Sequence, residues 1–210
     1  MIVLHDYWRS SASYRVRIAL AMKGIDYARH AVDLTAGEQA TAANRGRNPQ
    51  GFVPTLEIDG LAIGQSLAII DYLDARFPAP LMVSSDPASR ARTLQRALAI
   101  AADIQPIANL RVVKRLAAMG VDPAMRDDWS RHWIGEGLAA LETMGEPEGP
   151  FLGGATPDLS DVCLVPQMYN ARRFQMPLDA YPRLVAADAA MAVLPAVAAA
   201  HPDRSRFSRS

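Results

Sequence analysis

The sequence predicts an α/β domain followed by an all-helical one. From residue 1 to 82, short apolar runs alternate with helical patterns in the order βαβ and then αββα. From residue 87 onward every periodic segment reads as helix, which sets expected domains of 1–82 and 87–210 joined by the Pro78–Asp86 linker. A third observation concerns function. The first strand runs straight into a turn of hydroxyls and one arginine, Tyr7-Trp8-Arg9-Ser10-Ser11-Ala12-Ser13, and a helix starts there.

Ile2–His5 is the first strand, and Ser11–Lys23 a helix closed by Gly24, the residue most at ease in a left-handed stop. The apolar positions of this helix form two overlapping stripes: Tyr14, Ile18, Ala21 and Met22, and Val16, Ala19 and Leu20. Two stripes place it between the sheet and a second surface. Tyr27–Val32 reads as a strand, Gly37–Arg45 as a short helix and Asn48-Pro49-Gln50-Gly51 as loop. Val53–Ile58 and Leu61–Ile63 flank Asp59-Gly60, a strong hairpin signal. Ser66 then caps a helix from Leu67 to Phe77, stopped by Pro78.

In the second domain, Asp86–Leu116 is expected as one helix kinked at Pro106, and Asp122–Met144 as a second. Glu146–Gly154 is loop. Asp158 with Asp161 three residues on forms a variant capping box that opens a helix to Arg173. Pro182–Ala200 reads as a final helix, with a frayed tail from Arg204.

Composition narrows the partners. Half of the 210 residues are apolar and the formal net charge is +0, which suits a packed core and argues against a broad nucleic-acid surface. The amino terminus lacks a signal-peptide pattern, no apolar run approaches a membrane span, and one cysteine, Cys163, cannot form an internal disulfide. A cytoplasmic protein with no membrane partner is expected. The four histidines match no metal spacing, so no metal is expected; His5 reads as structural and Cys163 as a small buried hydrophobe. Trp129 and Trp133, one helical turn apart, are expected to pack together.

The serine turn suits an anion. The first turn of a helix leaves N–H groups without partners and carries partial positive charge, and Ser10, Ser11 and Ser13 add hydroxyls. A thiol of pKa about 8.5 is only a few per cent ionised at neutral pH, and such donors favour the charged form. The turn holds no cysteine, so a thiolate working here must arrive on a cofactor. The plainer alternative is that Ser10 or Ser11 merely caps the helix.

Several segments carry a family resemblance: Arg9–Leu20, Asn48–Leu56 (NPQGFVPTL), Gln65–Leu73 (QSLAIIDYL), Ile104–Leu110 (IQPIANL), Leu164–Gln167 and Ala171–Phe174. In this order they resemble the zeta-class glutathione transferases, which include maleylacetoacetate and maleylpyruvate isomerases. The resemblance implies a thioredoxin-like domain followed by a helical one, a homodimer, glutathione as cofactor, and cis–trans isomerisation of a maleyl dicarboxylate without consumption of glutathione. It assigns the thiolate to Ser11 with Ser10 beside it. It assigns glutathione contacts to Gln39, Val53, Pro54, Gln105 and Asn109, with Val53 preceding a cis proline; Gln65 and Ser66, at another helix start, suit a γ-glutamyl carboxylate, although a plain N-cap explains Ser66 equally well. For the substrate carboxylates, which a guanidinium grips at two points, Arg173 matches the family's substrate-side arginine, while Arg9 in the anion turn and, more weakly, Arg111 beyond Pro106 are candidates from their position; a solvated surface charge is the alternative for each. Arg9 also joins Ser10 and Ser11 in catalysis by stabilising developing negative charge.

Two positions separate this chain from relatives. Ala12 stands where many zeta members carry cysteine, and Gln105 matches the maleylacetoacetate-type pattern, where maleylpyruvate isomerases tend to have histidine. A transferase that conjugates small electrophiles, and a glutathione binder without chemistry, are the competing readings.

Overall fold

The computed structural model describes residues 1–206. Four strands form one mixed sheet in the order β2-β1-β3-β4. β1 (Val3–Asp6) pairs in parallel with β2 (Ala28–Ala31), whereas β3 (Thr55–Ile58) runs antiparallel to both β1 and β4 (Leu61–Gly64). The β3–β4 turn places Asp59 at φ 51° and Gly60 at φ 81°, the two successive left-handed residues that a two-residue hairpin requires. α1 (Ser11–Met22) and α3 (Ser66–Arg76) pack together, and Leu4, Leu56 and Ile58 from the sheet bury with Val16, Leu20, Ile69 and Leu73. This is a thioredoxin-like arrangement.

Every residue of α1 from Ser13 to Leu20 is buried, so the helix is covered on all sides as its two stripes predict. The second surface is α10 (Pro195–Ala200). Gly24, at φ 63°, ends α1 as expected. Lys23 Nζ then binds the Phe77 and Pro80 carbonyls (2.7 Å each) and Asp74 (2.8 Å), tying that end to the chain beyond α3.

The chain divides into two compact units, with the boundary at Met82–Val83. The segment from Leu194, expected with the helical domain, packs instead in the first unit. Pro195 explains why the last helix breaks. A residue before proline is pushed toward extended geometry, and Leu194 sits at ψ 127° between α9 (Pro182–Ala192) and α10. The short helix expected over Gly37–Arg45 is a 3₁₀ turn, Glu38–Ala40, followed by α2 (Ala42–Arg47).

The second unit is helical. The helix expected over Asp86–Leu116 is four pieces: α4 (Pro87–Leu98), a π-helical stretch Ala99–Ile104, the single turn α5 (Gln105–Ile107) and α6 (Leu110–Ala118). Pro106 lacks an N–H, and Asn109 in extended geometry caps α6 by accepting from Arg111 N–H, so the helix restarts rather than kinks. α7 (Pro123–Met144) follows, with Trp129 and Trp133 in edge contact at 5.7 Å. α8 (Leu159–Arg173) opens on a complete Asp158/Asp161 capping box. Buried Arg96 binds Glu146 Oε1 (2.8 Å), Ser160 Oγ (3.3 Å) and Asp158 (3.4 Å), joining α4, the loop after α7 and the start of α8. That guanidinium also holds the Glu146 carboxyl below its ordinary range.

Candidate active site

The serine turn begins where β1 ends. Ser10 is the N-cap of α1: its hydroxyl accepts from Ser13 N–H at 3.2 Å, and its carbonyl accepts from Tyr14 N–H at 2.9 Å. The capping alternative therefore holds for Ser10. A capping hydroxyl uses a lone pair and keeps its O–H for a ligand. The N–H groups of Ser11 and Ala12 have no acceptor among the described residues, and Ser11 is only half-buried. Ser13 differs: it is fully buried, and its hydroxyl has no hydrogen-bond partner among the described residues. Arg9 is exposed, with its guanidinium 5.3 Å from the centre of the Trp8 ring.

A second open helix start lies in the same unit. Ser66 is the first residue of α3 rather than its cap; that place is taken by Gln65 in left-handed geometry (φ 64°), with no side chain capping the helix. The N–H groups of Ser66, Leu67 and Ala68 consequently have no acceptor among the described residues, while Ile69 N–H returns to the Gln65 carbonyl. Buried Arg15 donates from Nη1 to Ser66 Oγ at 3.2 Å. This bond ties the helix opening at the serine turn to the helix opening at Gln65.

The intervening loop supplies a backbone edge. The Val53–Pro54 bond is cis, and Val53 N–H and C=O have no hydrogen-bond partner among the described residues. Asn48 shapes this loop, accepting from Gln50 N–H (3.1 Å) and donating to the Phe52 carbonyl (3.4 Å). Gln65 Nε2 donates to Gln50 Oε1 at 2.8 Å, and Asn44 Nδ2 donates to the Gln39 carbonyl at 2.9 Å. Gly51, at φ 64°, approaches that carbonyl so closely that a Cβ would lie 3.0 Å from it. The first unit thus contains Arg9, Ser10, Ser11, Gln39, Val53, Pro54, Gln65 and Ser66 from the sequence reading. Arg15, Asn48 and Gln50 were missed there: Arg15 because a charge inside an apolar helix reads as surface, the other two because they read only as loop.

The remaining candidates belong to the second unit. Gln105 is half-buried in α5, directly after the π-helical stretch. Asn109 spends its side-chain oxygen on the cap of α6. Arg111 is exposed on α6, and Arg173 is exposed at the end of α8, where Nη1 donates to Asn170 Oδ1 at 3.3 Å. Gln167, on the same helix, is buried with no partner for its amide among the described residues. No cluster of possible metal ligands occurs among the described residues, and no helix there is long and apolar enough to cross a membrane.

Comparison with known proteins gives the family. Residues 4–81 match the glutathione S-transferase N-terminal domain family. A maleylacetoacetate isomerase of Rhizobium meliloti (strain 1021) is 47% identical over 207 residues, 97% of each chain. The chain belongs to the zeta-class glutathione transferase family. Among solved structures, a zeta-class maleyl pyruvate isomerase in its holo form superposes with a TM-score of 0.95 at 38% identity, covering 98% of this chain and 99% of that one. The maleylacetoacetate isomerase of Anaeromyxobacter dehalogenans 2CP-1 has a TM-score of 0.88. Its structure with glutathione in the active site is 43% identical over 98% of this chain and 96% of that one. The same enzyme with dicarboxyethyl glutathione and citrate is 42% identical, with coverage of 100% and 98%. The likeness to the zeta-class holo structure thus extends over 98% of this chain.

Proposed function

We propose that this chain is a glutathione-dependent cis–trans isomerase of maleylacetoacetate or maleylpyruvate, with maleylacetoacetate favoured by Gln105. The observation that carries the reading is kinship along 97% of both chains with a maleylacetoacetate isomerase, joined to two helix starts in one unit whose N–H groups are left for an anion.

The residues fit glutathione. A tripeptide brings a peptide edge, carboxylates and an ionisable thiol. Val53 offers a matching backbone donor and acceptor with no other use among the described residues. Ser66 and the open start of α3 suit a carboxylate, with Gln65 beside them and buried Arg15 supplying positive charge behind the Ser66 hydroxyl. Ser11, with the Ser10 O–H and the first amides of α1, suits a thiolate. Gln39, Pro54, Gln105 and Asn109 are further candidate contacts. When bound, glutathione supplies a nucleophilic sulfur able to add reversibly to an activated carbon–carbon double bond.

The protein's own part is electrostatic and geometric. Ser11 and the first amides of α1 stabilise negative charge on sulfur, and each unit by which they lower the thiol pKa contributes about 1.4 kcal/mol. Arg9, with Arg173 and Arg111 as the other candidates, grips the substrate carboxylates and offsets the charge that develops on the substrate. Ala12 leaves that work to hydroxyls and amides alone. Family membership also supports a cytoplasmic location and a homodimer; sedimentation of the purified chain would check the latter. The decisive assay follows maleylacetoacetate and maleylpyruvate by ultraviolet absorbance with and without glutathione. Isomerisation that needs glutathione, with no loss of free thiol, is expected. Equal rates in both conditions would remove the cofactor, and stoichiometric thiol loss would favour conjugation.

A further inference from the structure

The last described residues reach the serine turn through a buried charge cluster. Asp6, at the end of β1, is 0% exposed and sits between two guanidinium groups: Arg17 Nη1 at 2.7 Å and Arg29 Nη2 at 2.9 Å. A buried carboxylate flanked in this way is compensated, and its partners are held in one orientation. Each arginine then reaches a carbonyl of the C-terminal segment. Arg17 Nε donates to the Ala200 carbonyl at the end of α10 (3.1 Å), and Arg29 Nη1 donates to the Ser205 carbonyl (3.1 Å). The end of a helix leaves carbonyls without intrahelical partners, and the Ala200 carbonyl, which also accepts from Ser205 Oγ at 3.4 Å, is held there by Arg17.

The third arm of Arg17 points the other way. Its Nη2 donates to the Trp8 carbonyl at 2.9 Å, one residue before Arg9 and two before the Ser10 cap. One guanidinium therefore spans the C-terminal segment, the strand-end carboxylate and the serine turn. Its fork of donors does this in a single rigid plane. A second contact closes the same loop: the Arg206 guanidinium lies 4.3 Å from the centre of the Trp8 ring, and Arg9 lies 5.3 Å from that ring. His201 meets Tyr14 of α1 edge-on at 6.1 Å. Pro202 and Ser205 are buried, so the segment is seated rather than draped.

We propose that the segment from Ala200 to Arg206 is a positioning element for the serine turn, with Arg17 as its positioning residue and Trp8 as the point of contact. The inference rests on the reading of that turn as the glutathione thiol site. A helix start stabilises an anion in proportion to how well its donors are held beforehand. Freeing the Trp8 carbonyl loosens the peptide that sets Arg9, Ser10 and Ser11, so glutathione binds more weakly and its thiol ionises less readily.

The main test is Arg17→Lys in the full chain. Lysine keeps a charge for Asp6 but cannot serve the Trp8 and Ala200 carbonyls at once. Three readouts are taken well below the melting temperature: amide hydrogen exchange over residues 8–13, KM for glutathione against kcat, and the pH dependence of thiolate absorbance in bound glutathione. Exchange about tenfold faster, KM about tenfold higher and an upward-shifted thiol pKa are expected. A chain ending at Asp203, which loses Ser205 and Arg206 but keeps α10, is expected to move the same readouts about threefold; it decides the matter if Arg17→Lys does not fold. A lower melting temperature with exchange and KM within twofold of the parent overturns the proposal, because the segment would then be a structural anchor only. If the parent does not bind glutathione, the reading of the site falls. Exchange over residues 8–13, measured without ligand, still judges the positioning role.

Discussion

Replacing Asp161 by asparagine tests the physical account of the helical unit in detail. Asp161 is fully buried, and its carboxylate accepts from Leu152 N–H (2.7 Å), Gly153 N–H (3.1 Å) and Asp158 N–H (3.1 Å). Asparagine exchanges one acceptor oxygen for a donor, so one or two of these buried N–H groups lose their acceptor. Each such loss costs about 1–3 kcal/mol, which sets an expected destabilisation of about 3 kcal/mol near neutral pH. The pH dependence is a separate signature. Burial raises the Asp161 pKa from 3.8 to about 6, although the three N–H bonds pull the other way. An acid whose pKa is raised on folding binds its proton more tightly in the folded state. Its contribution is fully present below its ordinary pKa and is lost as pH rises through about 6. A rise of roughly two units corresponds to about 3 kcal/mol. The asparagine side chain of the variant does not titrate, so the stability gap between parent and Asp161→Asn widens as pH falls from about 7.5 to about 4.5. Urea unfolding followed by far-ultraviolet circular dichroism at the two pH values measures it. A variant as stable as the parent, or a gap that does not change with pH, would refute the reasoning.

Two further outcomes follow from the packing and from the second helix start. A Cβ at Gly137 on α7 would overlap Cγ1 of Ile104 in the π-helical stretch, so Gly137→Ala is expected to cost about 1–3 kcal/mol and lower the melting temperature by roughly 2–10 °C; an unchanged melting curve would contradict that contact. Ser66→Ala removes the hydroxyl that faces Arg15, and KM for glutathione is expected to rise about tenfold with kcat nearly unchanged; steady-state kinetics with glutathione varied would show it, and an unchanged KM would take Ser66 out of the binding site.

Local rules made much of the fold readable. Asp59-Gly60 announced its hairpin because few residues accept two consecutive left-handed positions. Asp158 and Asp161 announced the start of α8 because their spacing satisfies the first N–H groups of a helix. The readings that failed depended on partners far along the chain. The break at Pro195 directs α10 onto α1, held by an Arg17–Ala200 bond that spans 183 residues, and no periodicity encodes that separation. Arg15 and Arg17 are buried to within 2% exposure, against the usual placement of arginine, so apolar pattern alone could not mark them. Ser66 looked like a cap because serine favours that role. Gln65 occupies it in left-handed geometry instead, which leaves the start of α3 open, and that openness gives the position its chemical interest. The serine turn itself was legible from residue types, while the half-buried Ser11 and the fully buried Ser13 were told apart only by the fold.

The central claim concerns the charge state of a sulfur held beside Ser10 and Ser11. Spectrophotometric titration of thiolate in the glutathione complex measures it directly, in the parent and in Ser11→Ala. The account predicts a bound thiol ionising at least about one unit below free glutathione in the parent, and a return of most of that shift in the variant. A bound thiol that titrates as it does in water, or a shift that survives loss of the Ser11 hydroxyl in full, would contradict it.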